Sequence, residues 1–196
     1  MTGTALLVID MQNDCVLPGR ALAFAGVEDT VPRIGRLLGV ARAAGLHIIH
    51  TRREYRPGGE DVEKVQRKLF FERGGFLVAG TEGCEGVPEL AARDGELVVV
   101  RPAWSAFQQT ALLLLLTRLR VRRLVVAGTA LPAAVRCTAF DALSLDLDVV
   151  VVRDGTSSGR DDVHEANLAD LARAGAKIDT CLELIREAEA GLLARP

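Results

Sequence analysis

The sequence predicts an α/β protein in which helices cover both faces of a parallel β-sheet. Short apolar runs alternate along the chain with segments whose apolar residues recur at helical spacing. Most of these runs are continuously apolar, as strands of a sheet buried on both faces are. The chain has 196 residues, so we expect a single domain spanning residues 1–196.

The first strand is predicted at Ala5–Ile9, where five apolar residues precede Asp10. Helical spacing of apolar residues then predicts a helix over residues 30–44, which Gly45 ends. Leu46–His50 is the second strand. The charged, Gly-rich stretch Arg52–Gly86 predicts an irregular excursion without regular structure.

The second half of the chain alternates more regularly. A third strand at Leu97–Val100 is followed by a Leu-rich helix at Thr110–Leu119. A fourth strand at Arg123–Ala127 leads through a turn into a helix at Ala133–Leu145. The four valines Val149–Val152 predict a fifth strand.

The last three elements are a helix, a short strand and a helix. The acidic pair at residues 161 and 162 suits the start of a helix at Asp162–Ala174. Ala176–Ile178 is the sixth strand, and Thr180 is the expected N-cap of a helix reaching Leu193.

Composition excludes several classes of protein. The net charge of −2 offers no basic excess for a nucleic-acid backbone. The longest apolar segment, Ala111–Leu116, is far shorter than a membrane span. Met1 precedes neither a basic segment nor a cleavage site, so we expect no signal peptide. The four cysteines are scattered without metal-type spacing, which favours a reduced cytoplasm.

Four segments are expected at the carboxyl edge of the sheet, where open parallel sheets place their active sites. They are Asp10–Asp14, Thr51–Tyr55, Arg101–Phe107 and Gly128–Ala134. These segments hold most of the candidate functional residues. Arg53, Tyr55 and Arg56 can form a positive pocket edge, with solvated surface as the alternative.

Asp10 directly follows the first strand, where an apolar setting can make a carboxyl group an acid or base. A turn cap or an ion pair is the equally weighted alternative. Arg101 can bind a carboxylate or stabilise an oxyanion, with a surface ion pair as the alternative. Gln12 and Trp104 can line the pocket, although an aromatic residue such as Trp104 more often closes a core.

The sequence predicts neither a metal nor a cofactor. His47 and His50 lie in a strand and cannot form an i, i+4 ligand pair, and His164 suits a capping or surface role. Gly155–Gly159 (GTSSG) lacks the lysine and spacing of a phosphate-binding loop.

Several ordered motifs resemble one family. They are LLVIDMQNDCVLPGR at the first strand, GTEGCEGVPEL before the third, VVVRPAWSAF, and VVAGTALPAAVRCTAFDAL. On these motifs the chain resembles the isochorismatase-like (cysteine hydrolase) superfamily, which includes nicotinamidases, carbamoylsarcosine-type amidases and true isochorismatases. The resemblance implies a three-layer Rossmann-like fold with a six-stranded, mostly parallel sheet.

The resemblance also implies a degenerate catalytic triad. The family's Asp matches Asp10, and its Lys, four residues before the Ser of SAF, matches Arg101. Its Cys matches Ala134, so the nucleophile position is vacant. Cys15 stands where relatives carry a Phe that lines the pocket. Together with Gln12 and Trp104, Cys15 is therefore expected to contact substrate.

The loop before Ala134 departs from the family as well. Relatives often carry Thr and Asp where this chain has Leu131 and Pro132, and we expect Leu131 to line the substrate site. The resemblance implies a non-proline cis peptide near Ala130–Leu131 that aims two backbone N–H groups at a substrate carbonyl. Pro132 removes one donor from that loop. Since Arg101 departs too, Ala134 is interpreted as natural divergence.

Two functions remain open at this stage. Losing a triad nucleophile removes most of the rate enhancement, so thiol amidase chemistry is excluded. The resemblance to true isochorismatases leaves Asp10-dependent hydrolysis of a small carboxylate or vinyl-ether substrate without a nucleophile. The alternative is a catalytically inactive binding or assembly protein. Either way we expect a small-molecule ligand, a homodimer or higher homo-oligomer, and no nucleic-acid or membrane partner.

Overall fold

The computed structural model describes residues 3–193. The first two and the last three residues of the predicted domain lie outside this range. Its centre is a six-stranded sheet in the order β3-β2-β1-β4-β5-β6. The strands are β1 Thr4–Ile9, β2 His47–Arg53, β3 Leu97–Arg101, β4 Arg123–Thr129, β5 Asp148–Ser157 and β6 Lys177–Asp179. Every neighbouring pair is parallel. The predicted Rossmann-like α/β fold is confirmed, with a sheet that is parallel throughout.

Helices cover both faces of this sheet. They are α1 Asn13–Val16, α2 Thr30–Ala43, α3 Lys64–Glu72, α4 Leu112–Arg118, α5 Arg136–Ser144, α6 Asp161–Ala174 and α7 Cys181–Glu189. Buried apolar residues of α2 and α7 form one cluster with one face of the sheet. Those of α4, α5 and α6 form a second cluster with the other face. The two clusters give the three layers.

Several predicted segments differ from the structure, and α7 ends at Glu189 instead of reaching Leu193. Residues 52–86 are not irregular throughout, because β2 continues to Arg53 and α3 follows. The helix predicted from Ala133 begins instead as a π-type turn at Leu131–Val135, before α5. β5 runs past its four valines to Ser157, since polar residues beyond a register shift still pair with the end of β4.

Thr180 caps α7 as predicted. Its hydroxyl accepts a hydrogen bond from the Glu183 N–H, and the Glu183 side chain accepts one from the Thr180 N–H, which completes a capping box. Between residues 3 and 193, none of the helices combines the length and apolar character needed to cross a membrane.

Candidate active site

The sheet order brings the carboxyl ends of β1, β2, β3 and β4 side by side. Ile9 pairs with Thr51 of β2 and with Gly128 of β4. Arg53 of β2 pairs with Arg101 of β3. Partners in a parallel ladder present their side chains on the same face, so two guanidinium groups leave this edge of the sheet together.

Asp10 and Arg101 form a buried, two-pronged ion pair. Arg101 Nε lies 3.0 Å from Asp10 Oδ1, and Nη2 donates to Oδ2. The Thr51 hydroxyl donates to the same Oδ1 at 3.1 Å. Only 5% of Asp10 and 1% of Arg101 are exposed. Both carboxylate oxygens are therefore engaged by protein donors, and water is largely excluded.

The remaining nitrogen of Arg101 binds the loop after β3. Nη1 donates to the carbonyl oxygens of Ala103 and, at 3.2 Å, Trp104. Burial lowers the pKa of Arg101 to about 10, which leaves the guanidinium charged at neutral pH. Arg101 thus acts as a fixed cation that orients Asp10, with no nitrogen able to accept a proton.

Ala134 lies in the π-type turn at the end of β4. A cis peptide joins Thr129 to Ala130, one residue before the position that the resemblance implied. Ala134 and Leu131 are 2% and 0% exposed and belong to the same apolar cluster. A buried methyl group therefore stands at the position that the resemblance assigns to the nucleophile.

The Gln12 side chain forms hydrogen bonds with the main chain of two other segments. Its Nε2 donates to the carbonyl oxygens of Arg53 at 2.9 Å and Cys84 at 2.7 Å. Its Oε1 accepts from the Arg53 N–H at 2.9 Å. The side-chain amide thereby fixes the backbone of Arg53.

Cys15 is a buried thiol. Burial raises its pKa to about 12, and the nearby Asp14 carboxylate and Cys84 add to this effect against the opposing charge of Arg53. Burial likewise raises the pKa of Cys84 to about 11. Neither sulfur is a thiolate at neutral pH, so neither is in the form that acts as a nucleophile.

The burial of Arg53 was not predicted from the sequence. Sequence reasoning treated Arg53, Tyr55 and Arg56 as solvated surface or a pocket edge, yet Arg53 is 4% and Tyr55 1% exposed, and only Arg56 is exposed. The Trp104 ring covers the Arg53 guanidinium at 4.5 Å. The available signal was position, since Arg53 ends β2 as Arg101 ends β3.

A cavity of about 240 Å³ is lined in part by Met11, Gln12, Thr51 and Arg52. Asp10 is not among its lining residues.

Within residues 3–193, His, Cys, Asp and Glu side chains form no group of three that could hold a metal ion.

The chain is similar to proteins of one family over most of its length. A model of the isochorismatase domain matches residues 4–181. A probable inactive nicotinamidase from Arabidopsis thaliana is 36% identical over 187 residues, covering 94% of this chain and 95% of that protein. A maleamate amidohydrolase from Pseudomonas putida is 34% identical over 172 residues, covering 85% of this chain and 78% of that protein.

A solved structure shows the same similarity. The crystal structure of an isochorismatase family protein from Desulfovibrio vulgaris has a TM-score of 0.91 and 43% sequence identity. The match covers 97% of this chain and 100% of that one.

Proposed function

Because this chain belongs to the isochorismatase family, we propose that it is a member that has lost hydrolysis and binds a small molecule at the former catalytic site. The observation that carries the proposal is the pair of changes at the triad. Ala134 supplies no nucleophile, and Arg101 occupies both oxygens of Asp10. The name of the Arabidopsis relative, a probable inactive nicotinamidase, agrees with this proposal.

The contacts of Asp10 favour inactivity over Asp10-dependent acid catalysis. A general acid must carry a proton on an oxygen that reaches the substrate. Here one oxygen accepts from Arg101 and Thr51, and the other accepts from Arg101. A guanidinium bound to both oxygens stabilises the ionised form, so the structure supports a carboxylate rather than an acid.

A release assay tests the proposal. Wild-type protein is incubated with small amides and with enol-pyruvyl ethers, and ammonia and pyruvate are measured. We expect no release above the protein-free blank. Release that disappears in a folded Asp10→Asn variant would replace the binding function with Asp10-dependent hydrolysis.

A double variant, Ala134→Cys with Arg101→Lys, serves as the control for the scaffold. It restores both residues that the family resemblance assigns to thiol chemistry. Amidase activity in this variant, with none in the wild type, would trace the loss of hydrolysis to these two positions.

We also propose that the protein forms a homo-oligomer in the cytoplasm. Val98 and Val100 are 46% and 45% exposed on the edge strand β3, and Leu113 and Leu114 are 44% and 51% exposed on α4. These apolar side chains suit an interface between copies of the chain. All four cysteines are free, which fits a reducing compartment. Light scattering of the purified protein would measure the oligomer.

A further inference from the structure

We propose that Arg53 is the receptor for a carboxylate group of the ligand, which binds to the unpartnered side of its guanidinium formed by Nε and Nη2. This inference rests on the binding role proposed above and names the chemistry of the ligand. It assigns the anion-binding role to Arg53 rather than Arg101, because Arg101 is already occupied by Asp10.

The side chain of Arg53 is buried, but within the described part of the chain only one nitrogen of its guanidinium has a protein partner. Its Nη1 donates to the Tyr55 hydroxyl at 3.0 Å and lies 3.4 Å from Glu63 Oε1. Nε and Nη2 meet no hydrogen-bond acceptor among residues 3–193. With 4% of the residue exposed, water reaches these donors poorly. Buried guanidinium donors without acceptors are costly, so a protein that keeps them has a use for them.

The same Nε–Nη2 side binds carboxylates elsewhere in this chain. Three arginines use it to donate to both oxygens of one carboxylate. They are Arg101 with Asp10, Arg42 with Glu96 at 2.6 and 3.0 Å, and Arg160 with Asp162 at 3.0 and 2.5 Å. Two parallel N–H groups match the two oxygens of a carboxylate, and Arg53 presents the same pair without a protein partner.

Arg53 is also held in place before any ligand arrives. The Gln12 amide bonds to both its N–H and its carbonyl oxygen. The Trp104 ring covers one flat face of its guanidinium, with the ring centroid 4.5 Å from Cζ. A receptor fixed in this way loses little conformational entropy when it binds.

Geometry rather than net charge selects a carboxylate over a neutral group. Asp10 and Glu63 already balance the charges of Arg101 and Arg53. A primary amide offers one acceptor oxygen to the two donors, whereas a carboxylate offers two in the matching geometry. The acid should therefore bind better than its amide.

Trp104 is the only tryptophan, so its fluorescence reports directly on the environment of Arg53. The native protein is titrated with two acid–amide pairs, acetate with acetamide and nicotinate with nicotinamide, at constant ionic strength. We expect at least one acid to change the Trp104 signal saturably and to bind about tenfold or more tightly than its amide. Equal binding of acid and amide, or no binding of either acid, would overturn the proposal.

Two variants test the assignment to Arg53. Arg53→Lys keeps the charge but loses the paired donors, and should weaken acid binding about tenfold or more. The matched control is Arg56→Lys, because Arg56 lies three residues further along the chain and is exposed. Arg56→Lys should leave acid affinity within about twofold of wild type. Equal effects of the two variants would contradict the assignment.

A third variant keeps the test independent of the folding of Arg53→Lys. Glu63→Gln removes the carboxylate that shares Arg53, and Glu63 is only partly buried. Acid binding should become severalfold tighter, with amide binding unchanged. An unchanged acid affinity would show that the receptor is elsewhere. These outcomes are separable from the proposed function, because hydrolysis in the release assay would refute inactivity and leave acid binding at Arg53 unaffected.

Discussion

Asp10 combines an unusual backbone conformation with a buried ion pair. Its φ is +50°, in the left-handed region that residues other than glycine seldom adopt. Its N–H donates to the Thr51 carbonyl oxygen at 3.1 Å, and its side chain is held by Thr51 and Arg101. Such a conformation persists because several contacts fix it at once, and it is typical of functional sites.

The Asp10 contacts predict a large difference between two otherwise similar ion pairs. Asp10→Asn should lower the free energy of unfolding by about 3–5 kcal/mol, because it leaves the Arg101 charge buried without a counter-ion. Asp162→Asn removes a carboxylate bound by Arg160 in the same two-pronged geometry, but on the surface. It should lower the free energy of unfolding in urea by no more than about 1 kcal/mol, from the surface ion pair and the helix N-terminus together. Equal losses in the two variants would show that burial of Asp10 does not govern its contribution.

Sequence reasoning found the positions of the site residues better than their partners. Asp10 and Arg101 were expected at one edge of the sheet because each follows a buried strand. Their mutual pairing was not predictable, since a guanidinium at that edge suits a ligand as well as a protein carboxylate. Arg53 was misjudged because its run is highly charged, and its burial depends on Trp104 and Gln12, which are remote in sequence.

At the scale of elements, the end of β4 shows where periodicity stops being informative. Apolar runs predicted the strand and the following helix, but not the register shift after Val126 or the π-type turn. Both depend on how closely neighbouring strands approach. Gly128 has φ +119°, and a Cβ built there would lie 2.1 Å from the Ile9 carbonyl oxygen.

Two glycine substitutions should therefore change stability in opposite directions. Gly128→Ala should destabilise the protein by about 3 kcal/mol or more, because β1 cannot move away without breaking its ladder. Gly39→Ala is the control, since Gly39 lies in α2 with no heavy atom within 4 Å of the added Cβ. It should stabilise the protein by about 0.5–1 kcal/mol through helix propensity. Thermal unfolding of both variants measures the contrast, and a tolerated Gly128→Ala would refute the close approach of β1 and β4.

At the scale of the whole molecule, the layered fold was predictable because continuous apolar strands and amphipathic helices repeat along the chain. One of the two edge strands, β3, differs from the central strands, since Val98 and Val100 on one of its faces are 46% and 45% exposed. Polar contacts just before its first residue link it to neighbouring elements. Glu96 binds Arg42 of α2 at 2.6 and 3.0 Å and lies 3.0 Å from His50 Nε2 of β2.

The contacts of Glu96 predict how the stability of the protein depends on pH. Burial alone would raise the pKa of Glu96, but hydrogen bonds from Arg42, the Arg93 N–H and His50 lower it to about 2, from 4.5. The folded state therefore binds the proton more weakly than the unfolded chain. The stabilisation is complete above pH 4.5 and is lost as the pH falls toward 2. Burial also lowers the pKa of His50 below 6.5, so its protonation on acidification favours unfolding as well.

Urea unfolding of the wild type and of Glu96→Gln, from neutral to acid pH, would test this role of Glu96. The wild type should be more stable at neutral pH, and its advantage should shrink by about 1–2 kcal/mol as Glu96 becomes protonated. Glu89→Gln, at an exposed position in the short 3-10 helix Pro88–Leu90, is the control and should follow the wild-type curve. An advantage that stays constant between pH 4.5 and 2 would mean that the ionised Glu96 does not hold β3 to α2 and β2.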